Sequence, residues 1–155
     1  MSNSYVIDTF AWVEYALGTE MGAFVAELLN APDSTLYTPA IVIAELSFKF
    51  NNENIGDWGT FFKFIKEKTQ VVPLDGSTAN QSGLQKQQLR ATEKGIDLAD
   101  AIIYQTALNL HAALISGDEH FKAIDGVIYL KNSVQVEDRL AEIRKRGQNG
   151  NAIEK

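Results

Sequence analysis

The sequence predicts an α/β fold built on one mainly parallel β-sheet, and three observations lead to that prediction. Short apolar segments alternate with longer segments of helical periodicity along most of the 155 residues. One strand segment, residues 112–116, is too uniformly apolar to have a solvent-facing side, which is typical of parallel strands covered by helices. Hydrophobic residues make up 45% and charged residues 22%, as in ordinary soluble globular proteins. Together they predict one globular domain around a central sheet.

The length and composition bound the domain organisation. We predict a single domain over residues 1–146 and a disordered tail over residues 147–155, which is rich in asparagine, glycine and glutamine. The chain has no cysteine, which excludes disulfides and thiolate metal sites. No apolar run approaches the ~20 residues that a bilayer span needs, and the first residues lack the basic start of a secretory signal. We therefore expect a cytoplasmic protein with no membrane partner.

The acidic balance of the chain limits the kinds of partner. The formal net charge is −6. Broad, non-specific binding to nucleic acid normally depends on a basic surface, so this charge argues against it. The objection weakens if several acidic side chains gather around a metal ion, but the sequence alone shows no clear basic rim.

The first half of the chain is predicted from its caps and apolar spacing. Asp8 ends the first strand, Thr38 and Pro39 resemble an N-cap and a first helical residue, and Asp57 is placed to cap the helix that follows it. The predicted segments in this half are strand 5–7, a helix from residue 9, helix 21–29, strand 36–37, a helix from residue 38 to about residue 51, and helix 58–68.

The second half contains three strands and three helices by the same criteria. Asp97 occupies an N-cap position and Asp100 follows three residues later, so the two resemble a capping box written with aspartates. The predicted segments are strand 70–74, a polar helix from residue 75 to about residue 94, a helix from residue 98, strand 112–116, strand 127–130 and helix 134–146.

Acidic residues end strands or interrupt apolar helix faces in this pattern. Asp8 ends the first strand, and Asp118 follows the buried strand 112–116. In parallel sheets the ligand site lies just past the carboxyl ends of the strands, where both would lie. Helical spacing places Asp100 in line with Ile103 on the face that turns to the core. Glu45 lies well inside its helix among apolar neighbours such as Phe48, where a solvated glutamate is not expected.

A hard divalent cation is the partner most consistent with these acids. A charge on an apolar face is costly unless it has a partner, and the sequence offers no lysine or arginine at those positions. Clustered carboxylates without cysteine suit Mg²⁺ or Mn²⁺. Such an ion activates water and stabilises the charge on a transferring phosphoryl group, so the chemistry indicated is phosphodiester hydrolysis. The acids in question are Asp8, Glu45, Asp100 and Asp118.

Each acid except Glu45 also has a structural interpretation. Asp8, Asp100 and Asp118 could cap or compensate the helix or turn that follows each of them, and Asp97 is better explained as a cap than as a ligand. His111 and His120 are interpreted as surface residues. No nucleophilic triad, glycine-rich phosphate loop or zinc site is present in the sequence.

Four motifs resemble those of PIN-domain ribonucleases, and specifically the VapC toxins of prokaryotic toxin–antitoxin pairs. They occur in the order of that family and cover most of the chain. The last two are together fairly specific, whereas the first alone is weak. The motifs are YVIDT at 5–9, IAEL at 43–46, LADAIIYQTA at 98–107 and LISGDEHF at 114–121.

The resemblance implies a fold, an activity and two protein partners. The implied fold is a five-stranded parallel sheet flanked by helices in three layers, and the implied activity is endonucleolytic cleavage of RNA. A homodimer and a small antitoxin are the implied protein partners. The implied ligands of Mg²⁺ or Mn²⁺ are Asp8, Glu45, Asp100 and Asp118.

One position departs from the family pattern. The residue two after the first aspartate is often small and hydroxylic, and here it is Phe10. We therefore expect Thr9 or Ser116 to take any role in orienting the metal ligands.

Two alternatives to an active nuclease remain open from the sequence. A receiver-like phospho-acceptor domain is also α/β, and Ser116 and Lys131 follow the fourth and fifth strands as that fold requires. It leaves Glu45 and Asp118 without a role, and it expects a pair of acids after the first strand where only Asp8 is found. A catalytically silent PIN domain that only binds a partner is the second alternative.

The helix predicted over residues 58–68 carries more aromatic surface than one apolar face requires. Trp58, Phe61, Phe62 and Phe64 can all pack in the core, or some of them can stay exposed as an interface. Following the resemblance, we expect this helix to help form the antitoxin groove or the dimer contact.

Overall fold

A sheet of five parallel strands forms the centre of the molecule, with helices packed around it in a three-layer α/β/α arrangement. The computed structural model describes the backbone of residues 3–153 and the side chains of residues 3–150. The predicted α/β class, the five strands and their parallel direction are all confirmed. The strands are β1 (Ser4–Ile7), β2 (Thr35–Pro39), β3 (Gln70–Val72), β4 (Ala113–Ser116) and β5 (Val127–Tyr129).

The helices connect these strands and carry most of the chain. Within the described residues, none of them is long and apolar enough to span a membrane. The α-helices are α1 (Thr9–Leu17), α2 (Glu20–Asn30), α3 (Ala40–Glu53), α4 (Trp58–Lys68), α5 (Gly76–Leu89), α6 (Leu98–Asn109) and α7 (Ser133–Ile153), and a single 3-10 turn covers Glu119–Phe121.

The strand order creates a natural ligand site between β1 and β4. The order across the sheet is β3-β2-β1-β4-β5, so the chain first builds outward from β1 on one side and then crosses to the other. Ile7 pairs with Ile115, and the backbone N–H of Asp8 donates to the carbonyl of Ile115 at 3.2 Å. Ligands of open parallel sheets bind outside the carboxyl ends of the strands where the order reverses. Asp8 lies at this point.

This strand order also excludes the receiver-like alternative. Receiver domains have the order 2-1-3-4-5, in which the third strand lies beside the first. Here β3 is an edge strand paired only with β2, and β4 takes the place beside β1.

The core lies on both faces of the central strands. Tyr5, Val6 and Ile7 of β1 are fully buried, as are Leu114 and Ile115 of β4. A parallel strand covered on both faces must be apolar at consecutive positions, which explains why these segments do not alternate.

The start of α3 differs from the prediction. Pro39 is its N-cap and makes no side-chain capping bond, whereas Thr38 belongs to β2. The hydroxyl of Thr38 instead accepts from Trp12 Nε1 at 3.2 Å and lies 2.8 Å from the Thr69 hydroxyl. The capping prediction for Thr38 was wrong because a buried indole N–H needs an acceptor, and this hydroxyl is the one within reach.

The ends of two other helices also differ from the predictions. Helix α5 ends at Leu89 rather than near Lys94, and turns fill the interval before α6. Helix α7 continues past Arg146 to Ile153, so residues 147–153 are helical where a disordered tail was predicted. Its glycines cost about 1 kcal/mol each and no proline interrupts it, so nothing local ends the helix. Residues 154 and 155 lie outside the described residues, and the domain boundary at residue 146 stays a prediction.

Candidate active site

Asp8 is a buried carboxylate at the point where β1 and β4 end. Only 3% of the residue is exposed. It caps α1 by accepting from the N–H of Ala11 at 2.9 Å, and it accepts a hydrogen bond from the Ser116 hydroxyl. Burial is the main cause that raises the pKa of Asp8 to about 7 in spite of these hydrogen bonds, and the charges of Asp118 and Asp100 contribute to the same shift. The side chain is held in place but its charge is not neutralised.

Ser116 and Gly117 shape the floor of the site. The Ser116 hydroxyl accepts from the backbone N–H of Asp118 at 3.1 Å while it serves Asp8, so it links the ends of β1 and β4. A Cβ atom at Gly117 would lie 2.7 Å from Cδ1 of Phe10. Phe10, which departs from the family pattern, therefore occupies the space that any other side chain at position 117 would need.

Asp100 faces the same site from the first turn of α6. The capping box predicted with Asp97 is confirmed: Asp97 Oδ1 accepts from the Asp100 N–H at 2.8 Å, and Asp100 Oδ2 accepts from the Asp97 N–H at 3.4 Å. Only 16% of the Asp100 side chain is exposed. Burial raises the pKa of Asp100 to about 6, and the charges of Asp97 and Asp118 add to this effect. A carboxylate that served only as a cap would not need this buried position.

Asp118 caps the 3-10 turn by accepting from the N–H of His120 at 2.9 Å, and the same turn brings the His120 ring into the site. His120 Nδ1 lies 3.4 Å from Asp118 Oδ1 and 3.5 Å from Asp100 Oδ2, and it is buried without a hydrogen-bond partner. The ring also packs on Gly95, where an added Cβ would lie 2.5 Å from Nε2. The His120 side chain is 39% exposed, in agreement with its interpretation as a surface residue, and one of its ring nitrogens points between two carboxylates.

Glu45 joins the site through Thr9 rather than directly. The Thr9 hydroxyl donates to Glu45 Oε1 at 2.6 Å, and Thr9 follows Asp8 in the chain. Glu45 is half-buried, while Phe48, predicted on the same apolar face, is 67% exposed. The buried face of α3 consists of Val42, Leu46 and Phe50.

Lys131 stands at the margin of the site after β5. Its Nζ lies 3.2 Å from Glu119 Oε1 and 5.5 Å from the centre of the Phe10 ring. The hydrogen bond to Glu119 raises the pKa of Lys131, and the charge of Asp118 contributes to the same shift. A basic residue is therefore present near the acids, contrary to the sequence expectation. Its partner is Glu119, and neither Asp8 nor Asp100 is paired with it.

The acids fit a divalent cation by their chemistry. Asp8, Asp100 and Asp118 lie close enough to influence one another's charge, and all their donor atoms are carboxylate oxygens, which Mg²⁺ and Mn²⁺ prefer. Within the described residues, however, no three acidic or histidine side chains are gathered tightly enough to hold an ion as they stand.

Capping and metal binding do not exclude each other at these positions. An ionised carboxylate has about four acceptor sites, and a capping bond uses one of them. Asp118, for example, caps the 3-10 turn through Oδ1, and Asp8 caps α1 through Oδ1. The capping interpretation of these residues is therefore confirmed, and each capping carboxylate keeps further acceptor sites.

The sequence of this chain matches a known protein family. A protein-family model of the PIN domain matches residues 5–127, which contain every acid described above. The chain belongs to the PIN domain family. A search of curated protein sequences gives no match.

Solved structures with the same fold come from bacterial toxin–antitoxin systems. The VapBC2 complex of Rickettsia felis bound to a promoter DNA fragment has a TM-score of 0.65 at 18% identity, over 81% of this chain and 96% of that chain. The sarcin–ricin-loop-cleaving toxin VapC20 of Mycobacterium tuberculosis has a TM-score of 0.64 at 15% identity, over 78% and 95%. VapBC-1 of nontypeable Haemophilus influenzae has a TM-score of 0.60 at 23% identity, over 80% and 94%. At these identities the likeness concerns the fold of this PIN domain.

Proposed function

We propose that this PIN domain is a metal-dependent endoribonuclease, and that it is the toxin of a VapBC-type toxin–antitoxin pair. The observation that carries the proposal is the buried Asp8 carboxylate, whose pKa is raised by burial and by two neighbouring acids at the switch point of the sheet. A buried charge without a basic partner is costly, and it is retained where a ligand compensates it. The family and the solved structures described above support the same activity.

In the proposed reaction each acid has a distinct position. Asp8, Asp100 and Asp118 come from three different elements and would hold Mg²⁺ or Mn²⁺, with Glu45 at the Thr9 side of the site. When bound, such an ion lowers the pKa of a water molecule and stabilises the charge on the phosphoryl group. The protein contributes a fixed arrangement of carboxylates on rigid helix starts and strand ends.

Thr9 and Ser116 hold two of these acids in position through hydrogen bonds. Thr9 donates to Glu45, and Ser116 donates to Asp8 while accepting from the backbone of Asp118. Residues that orient metal ligands in this way affect metal affinity without touching the ion. Phe10 cannot take such a role, because it has no polar atom in its side chain.

An antitoxin would occupy the apolar groove beside α4. The four aromatic side chains of this helix are only partly buried, and Phe61 and Phe64 line a groove of about 480 Å³ together with Tyr15 and Phe50. An amphipathic helix of a small partner fits a groove of this kind. The toxin–antitoxin complexes with the same fold support this occupant.

The groove proposal can be tested with one substitution in the groove and one on the same helix outside it. Gly56→Arg would fill the groove mouth, where a Cβ makes only an ordinary contact with Phe50. Phe62→Ser is the matched control, because Phe62 stacks on Trp58 and is not among the residues that line the groove. We expect Gly56→Arg to abolish co-purification with the antitoxin and Phe62→Ser to preserve it. Light scattering of both proteins would also test the proposed homodimer, and antitoxin binding by Gly56→Arg would overturn the groove assignment.

The activity itself is tested by RNA cleavage with Mn²⁺, with excess EDTA, and with Asp118→Asn in Mn²⁺. We expect cleavage only by the wild-type protein with Mn²⁺. Unchanged cleavage in EDTA would contradict the metal dependence. If the wild-type protein cuts no RNA even with Mn²⁺ but still binds the antitoxin, the result would favour the catalytically silent PIN domain instead.

A further inference from the structure

Three basic side chains, Lys86, Arg90 and Lys94, lie near the end of helix α5 and in the turn after it, and we call them the basic stripe. They line one shallow recess of about 670 Å³ together with Gly83, Gln87 and Ala91. Only Ser82 and Leu89 of this helix are buried, so its outer face is polar and open to solvent. The basic stripe follows the helix and the turn after it toward the start of α6.

The basic stripe has no acidic partner within the described side chains. Two cations elsewhere have an acidic partner: Lys131 pairs with Glu119, and Arg144 pairs with Glu27. Three cations that line one recess without acidic partners repel one another. In a protein of net charge −6, such a row indicates an anionic ligand.

The packing of α5 on α6 places the Lys94 end of the basic stripe near the acids of the candidate site. Asn109 at the end of α6 donates to Thr78 at 3.2 Å and to Gln81 at 2.9 Å, both in the first half of α5. The two helices are therefore antiparallel, and the end of α5 lies beside the start of α6. Gly95 directly follows Lys94 and packs against the ring of His120, which lies between two carboxylates of the site.

We propose that the basic stripe binds the phosphate backbone of single-stranded RNA and guides it to the acids. The three cations are spread along the end of α5 and the turn after it, so they suit a linear polyanion better than one phosphate group. A local basic track also answers the objection that an acidic protein should repel nucleic acid. This inference rests on the proposed function, because it takes the substrate to be RNA.

The test measures RNA binding without cleavage. A fluorescent single-stranded RNA of about 20 nucleotides, longer than typical single-strand site sizes, is titrated with the protein in EDTA at several salt concentrations. Lys86→Gln/Arg90→Gln/Lys94→Gln is compared with Lys63→Gln/Lys68→Gln/Lys145→Gln, which removes the same charge from exposed positions outside the recess. We expect the stripe variant to bind about 10-fold or more weakly and to lower the salt slope by about 2, at ~0.7 per phosphate contact.

Several outcomes would overturn the inference. Equal losses in both triple variants would mean a general charge effect, and no RNA binding by the wild-type protein would exclude the stripe as a track. Equal binding of polyglutamate and RNA would indicate an acidic protein segment as the occupant. Lys86→Arg/Lys94→Arg, which keeps the charges, should bind RNA like the wild-type protein, and circular dichroism melts would confirm that all variants fold.

Failure of the proposed function would look different. A wild-type protein that binds RNA through the stripe in EDTA but never cuts it with Mn²⁺ would refute the nuclease and leave the stripe standing. A nuclease whose KM for RNA is unchanged in the stripe variant would refute the stripe and leave the nuclease standing. In the expected case KM rises and kcat stays the same, because the stripe does not touch the reacting phosphate.

Discussion

Two buried polar regions of this domain differ in whether their polar groups are satisfied. Thr38 is fully buried, and its hydroxyl is bonded on both sides, to Trp12 Nε1 at 3.2 Å and to the Thr69 hydroxyl at 2.8 Å. Thr69 in turn donates to the carbonyl of Ile65 at 3.0 Å. Asp8 is almost as deeply buried, but it carries a charge that two neighbouring acids make worse.

Under the proposed function, this difference separates a structural polar group, Thr38, from a metal ligand, Asp8. A neutral, fully bonded network stabilises the packing of three elements and needs nothing else. A carboxylate whose pKa is raised to about 7 is destabilised in its charged form, so the fold loses stability by placing it there. Such a cost is typical of a site that binds a compensating ligand.

Asp8→Asn is expected to have the largest effect on both properties. RNA cleavage should fall by more than about 100-fold, because loss of supporting residues alone costs about 10- to 100-fold. The free energy of unfolding in EDTA near pH 8 should rise by roughly 2 to 4 kcal/mol, because each pKa unit corresponds to about 1.4 kcal/mol. Urea unfolding and an RNA cleavage assay would measure both, and a destabilised, active variant would contradict the comparison.

The gain in unfolding free energy that we expect for Asp8→Asn should increase with pH. Unfolded Asp8 ionises near its ordinary pKa of 3.8, whereas folded Asp8 keeps its proton until about pH 7. Between these values the folded state binds more protons, so wild-type stability from this group falls as pH rises. The advantage of Asp8→Asn in EDTA should therefore be small near pH 4, grow toward pH 7 and then stay constant. Urea unfolding of both proteins across this range would check it, and a constant advantage at all pH values would contradict it.

Thr38→Val should have the opposite effect on stability and none on activity. The substitution leaves the buried N–H of Trp12 without an acceptor, which costs about 1 to 3 kcal/mol. Thr38→Ser keeps the hydroxyl and is the control. We expect thermal melts to show the loss only in Thr38→Val, while cleavage per folded molecule is unchanged in both. Loss of cleavage in stable Thr38→Val would place this network in the site.

The sequence predicted the framework of this site better than its details. Local patterns were sufficient for the strand ends and for the Asp97–Asp100 capping box, because caps and apolar runs depend on near neighbours. The partners of Thr38 and the contact of His120 with Asp100 come from distant parts of the chain, which a local pattern does not contain. The spacing of Asp118 and His120 was the available signal for the histidine, since a tight turn after a strand brings both to one edge.

The role proposed for the basic stripe could not be predicted from the sequence for the same reason. Lys86, Arg90 and Lys94 are visible in the sequence at four-residue spacing, but their meaning depends on the antiparallel packing of α5 on α6. Only that packing brings Gly95 against His120. A single sequence does not reveal which end of a polar helix lies at the active site.

Thr9→Val should weaken the metal site with a smaller effect than loss of an acid. The hydroxyl of Thr9 holds Glu45 Oε1 at 2.6 Å, and without it the glutamate is free to turn away. We expect Mn²⁺ affinity to fall about 10-fold, at the lower end of what supporting residues contribute. Thr9→Ser keeps the donor and should bind normally. Calorimetric titration with Mn²⁺ would measure this, and identical affinities in both variants would remove Thr9 from the site.

The smallest expected effect is that of Asp97→Asn, and its value lies in the contrast with Asp100→Asn. The two aspartates form one capping box, so a purely structural role predicts the same result for both. Asparagine caps as well as aspartate, so Asp97→Asn should change the free energy of unfolding by less than about 0.5 kcal/mol and preserve cleavage.

Asp100→Asn keeps an acceptor for the Asp97 N–H but removes a largely buried charge beside Asp118. It should melt at or above the wild-type temperature in EDTA, gain less from Mn²⁺ and cut no RNA. Thermal melts with and without Mn²⁺ and one cleavage assay would separate the two residues. If Asp100→Asn were destabilised and fully active, Asp100 would be a cap like its neighbour, and the site would lose its contribution from α6.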